Sequence, residues 1–167
     1  MWRDIEEYFE GYPSQKKVAL YLLRRGFQVG EDGRIRSGGV AIPHAQIAKE
    51  LGIDRRTVDV AALRILKNPR LKEIYQSLQT IAYLGDTARY LGLGVVIISV
   101  EDASRPGIIG AVASKIAEHG IAIRQAIADD PYLTDNPKFT VIADGKIPGD
   151  LIEDLKRIKG VKNITIY

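Results

Sequence analysis

Residues 95–123 constrain the fold more than any other stretch of this chain. Val95-Val-Ile-Ile-Ser-Val100 is a short β-branched run, rich enough for a buried strand and too short to cross a bilayer. The polar turn Glu101-Asp-Ala-Ser-Arg-Pro-Gly107 follows, with Ser104 where a helix N-cap would sit and Pro106 inside the first turn. Ile109, Val112, Ala113 and Ile116 then recur at helical spacing. His119 falls in the last turn, Gly120 stops the helix, and Ile121 opens another strand. In such an arrangement the free N–H groups of the helix's first turn face whatever fills the turn, and they favour an anion. Gly107 has no side chain, so a small ligand can approach the backbone closely. An ordinary structural turn is the competing reading, because such turns are common.

The pattern continues to the end of the chain. Ile121, Ile123 and Ile127 read as one strand face interrupted by Gln125, and a polar loop with two prolines spans 129–137. Residues 139–143 read as a strand, 148–158 as a helix with Leu151, Ile152, Leu155 and Ile158 inward, and 161–167 as a last strand. The order from Val95 is strand, helix, strand, strand, helix, strand, the ferredoxin-like βαββαβ plan.

The first half differs in both charge and pattern. Residues 13–72 hold 13 Lys and Arg against 5 Asp and Glu, a net +8, whereas residues 81–167 hold 10 against 11, a net −1. A basic half beside a near-neutral one points to nucleic acid for the first half, with well-solvated lysines as the plain alternative. Residues 1–10 form a short amphipathic helix with Trp2, Ile5 and Phe9 on one face, and residues 13–25 a stronger one between Pro13 and Gly26. Turn signals at Gly30, Asp32-Gly33 and Gly38-Gly39 leave room for a small hairpin or a single strand within 27–42. Two helices then fit 44–51 and 55–67, joined at Gly52-Ile53-Asp54, with Asp54 placed to cap the second. A further helix covers 70–78, and Asn68-Pro69 separates it from the one before. Leu91-Gly-Leu-Gly94 looks like a fragment of a dinucleotide loop, but a strand follows where a helix would be needed.

Several functions are excluded or disfavoured. There is no cysteine, so there is no disulfide, thiolate nucleophile or Cys-type zinc site. His44 and His119 are the only histidines, no Ser/His/Asp set surrounds them, and no phosphate loop occurs, which argues against an enzyme. The aspartates of 129–135 lack calcium spacing and read as a solvated turn, so no metal and no cofactor is expected. The acidic, amphipathic start has no signal-peptide pattern and no membrane span is expected, so a cytoplasmic protein is the default.

Residues 43–68 resemble the helix-turn-helix of transcription regulators. Ala48, Gly52 and Val58 match that family's small residue, turn glycine and buried aliphatic, and the preceding helix extends the likeness to a winged or tri-helical domain. The resemblance implies that the second helix enters the major groove. Arg55 and Arg56 would then reach phosphates or guanine edges, and Thr57 a phosphate or a thymine methyl. Arg64, Lys67 and Arg70 would touch the backbone, while Asp59 would accept from cytosine or pair with an arginine. Residues 95–167, with the turn Asp102-Ala-Ser-Arg-Pro-Gly107 and the later Gly120-Ile121, look like an ACT domain, a small-molecule module of amino-acid metabolism. The resemblance implies an amino acid bound at the loop before the first helix, usually across a dimer interface. The implied contacts are Asp102, Ser104, Arg105, Pro106, Gly107 and Ile108, with Ala122 where the family often has Asn, and Arg124 and Gln125 on the same strand as possible replacements.

The expected architecture is therefore α+β. A helix-turn-helix DNA-binding domain would occupy residues 1–80, a linker 81–94, and an ACT-like regulatory domain 95–167. That order resembles an archaeal-type regulator of amino-acid metabolism. Its expected partners are DNA and an amino-acid effector, and its expected state a homodimer or higher even-numbered oligomer, because the sheet edges of such a domain need covering. The alternative is an interaction module that dimerises or binds an amino acid and regulates an enzyme without touching DNA.

Overall fold

A computed structural model describes the backbone of residues 2–167 and the side chains of 5–167. Trp2, assigned above to the apolar face of the first helix, lies outside the described side chains. The chain is mixed α and β, with two antiparallel sheets, and divides into two compact units, Met1–Ala82 and Tyr83–Tyr167.

The first unit contains helices α1 (Trp2–Tyr8) and α2 (Pro13–Arg25), strands β1 (Gln28–Val29), β2 (Ile35–Ser37) and β3 (Val40–Ile42), then helices α3 (His44–Leu51), α4 (Arg55–Lys67) and α5 (Pro69–Ser77). Residues 27–42 thus form a three-stranded sheet, where the sequence suggested a hairpin or a single strand. Both glycine turns reverse the chain: Gly30 N–H donates to the Arg34 carbonyl at 2.8 Å, and Gly38-Gly39 is a two-residue loop between the paired Ser37 and Val40. The apolar stripes predicted for α2, α3 and α4 meet in one core, where Val18, Leu22, Ile47, Ala48, Val58, Ala61 and Ile65 are buried with Tyr75 of α5. The Tyr75 hydroxyl is satisfied there by the Ala19 carbonyl at 2.9 Å, and burial pushes its pKa up.

The second unit runs β4 (Gly94–Val100), α6 (Ile108–Glu118), β5 (Ile123–Ala128), β6 (Lys138–Ala143), α7 (Gly149–Lys156) and β7 (Val161–Ile166). The sheet order is β5-β6-β4-β7 with every neighbour antiparallel, so β4 and β5 are parallel to each other. Val96 and Ile98 of β4 and Phe139 and Val141 of β6 pack with Ile108, Val112 and Ile116 of α6 and Leu151 and Leu155 of α7. Val95 and Ile142, on the other sheet face, pack with Ala88 and Leu93. Residues 81–94, expected to be a linker, therefore include a packed segment with a 3-10 turn at Ala88–Leu91. Its Leu84 N–H donates to Gln125 Oε1 at 2.9 Å.

Two local expectations change. The helix α6 starts at Ile108 with Gly107 as its N-cap, so Ser104 caps nothing and Pro106 lies outside the helix. Ser104 is instead drawn into a turn with Asp102, which competes for the same short side chain. The pairing of β5 with β6 shifts between Ile123 and Gln125, which puts Arg124 in a bulge. The bulge reverses the alternation, so Ile127 is paired with Thr140 on the face opposite Ile123.

Candidate functional site

The turn between α3 and α4 is built from three consecutive residues. Gly52 takes φ +64°, a left-handed conformation that costs side-chain-bearing residues dearly. The Ile53 N–H returns to the Ala48 carbonyl at 3.0 Å and closes α3. Asp54 opens α4, its carboxylate accepting the Arg56 N–H at 2.7 Å. The end of α4 is also secured, since Asn68 follows it and caps α5 by accepting from Arg70 and Leu71, each at 3.1 Å.

Because α4 buries Val58, Ala61, Ala62 and Ile65, its outward line can be read directly. At about 3.6 residues per turn, Arg56, Val60, Leu63 and Lys67 stand opposite the core. All four are exposed. Arg55 and Thr57 flank that line: Arg55 is open, with 69 % of its side chain accessible, while Thr57 is half-buried. Arg55 also leans on Asp59, its Nε 3.7 Å from Oδ2, and the other oxygen of Asp59 meets His44 Nδ1 at 2.6 Å. Asp59 thus takes the arginine-pairing role, together with a histidine contact that the sequence analysis did not foresee. Arg64 is half-buried rather than free, with its guanidinium 3.7 Å over the Tyr12 ring. Arg34, which sequence reasoning passed over, is exposed on the β1–β2 turn and lines one cavity with Arg55, His44 and Asp59. Its signal was a cation in an Asp-Gly-Arg turn within the +8 segment.

In the second unit the turn after β4 is locally closed. Asp102 Oδ1 accepts both the Ser104 N–H at 2.9 Å and its hydroxyl at 2.6 Å. The Ser104 hydroxyl and N–H hold the Asp102 carboxyl below its usual range, with a smaller contribution from Arg105. Both side chains are thereby occupied as turn residues. The remaining loop positions, Arg105, Pro106, Gly107 and Ile108, line a cavity of about 140 Å³. Val100, Ile109, Phe139 and Pro137 make its walls mostly apolar, and Asp129 and Lys138 supply charge. Those last two also tie the wall together, since Asp129 Oδ2 accepts the Lys138 N–H at 3.1 Å. No side chain among the described residues caps the first turn of α6, which starts at this cavity.

Ala122 and Arg124 are not part of this cavity. They sit at the far end of the sheet, where Ile123 and Gly94 both pair with Ala143, whereas the loop adjoins Lys138 and Ala128. The Ala122 carbonyl accepts the Asp144 N–H at 2.8 Å, and Arg124 Nη1 lies 3.6 Å from Asp144 Oδ1. Within one chain, then, the eight positions inferred for a ligand divide between two ends of the sheet. Asp129, Lys138 and Phe139 were missed, because the strand order that brings the ends of β5 and β6 beside the loop is not written in any local pattern.

His119 caps α6 and is bound to α7, with Nε2 3.1 Å from Asp154 Oδ2, which lowers the Asp154 pKa. Among the described residues no cluster of three or more His, Cys, Asp or Glu is placed to hold a metal ion, and no helix is long and apolar enough to cross a membrane.

No family model matches the chain, and no curated protein matches it. A solved structure described as "Crystal structure of PH0061" is 22 % identical over 78 % of this chain and 82 % of its own, with a TM-score of 0.28. A likeness at that level carries no argument about fold or function.

Proposed function

We propose that the protein is a transcription regulator of amino-acid metabolism, with a helix-turn-helix in its first unit and an ACT-like, ferredoxin-like domain in its second. The observation that carries this reading is the outward line of α4. A helix seated by Gly52 and Asp54 presents Arg56 and Lys67 opposite its core, with Arg55 beside them. This suits insertion into a major groove, with Arg56 toward the base edges and Arg55, Thr57 and Lys67 toward the backbone. The three-stranded sheet that precedes α3 fits a winged variant of the motif, and Arg34 on its turn extends the basic surface.

The effector reading is supported by the cavity at 105–108. The uncapped first turn of α6 suits a carboxylate, Asp129 suits an ammonium, and the apolar walls favour a hydrophobic amino acid. Ala122 and Arg124 would join such a site only if a second copy brought its far sheet end to the loop. The edge strands β5 and β7 leave backbone groups for such pairing, and a two-fold dimer would imply a pseudo-palindromic operator. An effector would then act through unequal affinity for two dimer arrangements.

Titration of the chain with random-sequence duplex DNA at two salt concentrations tests the first part. The expected result is micromolar or tighter binding that weakens steeply with salt; affinity that is absent or indifferent to salt removes the DNA reading. Calorimetry with each common amino acid tests the second. Silence from all of them at millimolar concentration leaves the second unit as a dimerisation module and favours the alternative of an interaction module, and a monomer by light scattering at micromolar concentration removes the dimer.

A further inference from the structure

On the outward line of α4, Val60 is 44 % exposed and Leu63 54 % exposed, midway between Arg56 and Lys67. A lone exposed aliphatic residue is ordinary on a protein surface. Here two occupy adjacent turns on the line farthest from the core, where solvent alone would favour polar side chains. They also line a groove of about 440 Å³ with Tyr8, Arg64 and Lys67, so cations frame the apolar centre. Arg55 adds a further cation at the start of the helix. Four residues on one helix line span about 16 Å along the axis, and a helix about 10–12 Å across fits a groove about 12 Å wide.

We infer that Val60 and Leu63 read thymine, by packing against the 5-methyl groups on the major-groove edges of a duplex whose phosphates meet the flanking cations. This rests on the proposed DNA reading and adds to it the base that the middle of the helix selects. The occupant follows from charge and shape together. A second copy of this face, related by a two-fold axis, would set cations against cations. A polyanion with apolar groups on its groove edge satisfies both the centre and its frame. Thymine alone adds a methyl group to its major-groove edge; the edges of the other three bases offer only polar groups, which Val60 and Leu63 cannot satisfy. An A-form RNA duplex is excluded because its major groove is too narrow and uracil has no methyl.

The test begins by selecting duplexes from a random pool with the full chain. Each thymine of the selected duplex is then replaced, one at a time, by deoxyuridine. Affinity is measured for the wild type, Val60→Ala and Leu63→Ala. Both substitutions are on the surface, so the fold and the salt slope should be retained. The expected result is one or two positions at which losing the methyl weakens wild-type binding about fourfold, with that sensitivity gone in one or both alanine variants. Selected duplexes in which no thymine methyl matters, or in which both variants keep the full sensitivity, overturn the inference while leaving DNA binding intact. A pool that yields no preferred duplex overturns this inference, while the DNA reading falls only if the salt-dependent affinity for random duplex is also absent. A drop in oligomer mass for Leu63→Ala, measured by light scattering, assigns the face to a second copy and also overturns the inference.

Discussion

The helix α4 begins under a carboxylate, and α6 begins under a glycine. At α4 the Asp54 side chain takes the Arg56 N–H, and Gly52 has already turned the chain through a left-handed residue. At α6 the left-handed residue, Gly107 at φ +94°, is itself the cap, and no described side chain covers the first turn. Both starts face the same problem of unsatisfied N–H groups, and only α4 meets it with a side chain. The closed start fixes the helix and leaves the exposed side chains to make contacts, as a base-reading helix needs. The open start keeps backbone donors available beside a small apolar cavity, as a carboxylate site needs.

The largest expected effect separates the residues of α4. Replacing Arg56 with Ala should weaken binding to a selected duplex by about 1–3 kcal/mol if it reads a base. Arg55→Ala should cost less, since Asp59 already engages that guanidinium from 3.7 Å. Equal losses in anisotropy titrations would mean that the outward line is not what faces the bases.

Next comes Gly107→Ala, which should destabilise the protein by about 1–2 kcal/mol through its positive φ. A Cβ there meets nothing within 4 Å, so the cost is conformational and the cavity stays open. Urea unfolding measures it, and an unchanged midpoint would show that the left-handed cap is dispensable. Asp129→Asn, which leaves the backbone unstrained, tests the cavity's charge separately.

Asp54→Ala strips the closed start of its cap and should cost about 1 kcal/mol. Amide exchange in the first turn of α4 should rise, and no comparable substitution exists at α6. If exchange does not change, the Asp54 hydrogen bond does not secure the helix.

The smallest effect is a pH dependence in the loop before α6. Ser104 holds the Asp102 carboxyl below its ordinary value of 3.8. A lowered carboxyl contributes stability above that value and loses it as pH falls through the lower, folded one. Ser104→Ala should therefore raise the Asp102 titration midpoint toward 3.8 in an NMR titration, and an unmoved midpoint would assign the depression to another group.

Local chemistry was legible to within a few residues wherever it repeats. The 3.6-residue stripes of α2, α4 and α7, the Gly52-Ile53-Asp54 turn and the strand runs at 95–100 and 139–143 are periodic or punctuated by residues with one conformational use. The N-cap of α6 was misread because Ser104 has two partners within reach, and a turn with Asp102 wins over the helix. Which end of the sheet Ala122 and Arg124 occupy follows from strand order and register, which no local pattern specifies.

The amino-acid sequence by itself determined the apolar stripes of α2, α4 and α7, the strand runs at 95–100 and 139–143, and the concentration of positive charge in residues 13–72. These depend on neighbours within a turn or two of the chain. Only the tertiary structure decided that Asp59 meets His44, that Arg64 lies over Tyr12, that residues 84–93 pack on the sheet, and that Asp129 and Lys138 complete the wall beside Gly107. Each of these joins side chains from different elements. Their meeting depends on crossing angles, on a bulge at Arg124 and on which rotamers the packing leaves open, none of which a single run of residues specifies.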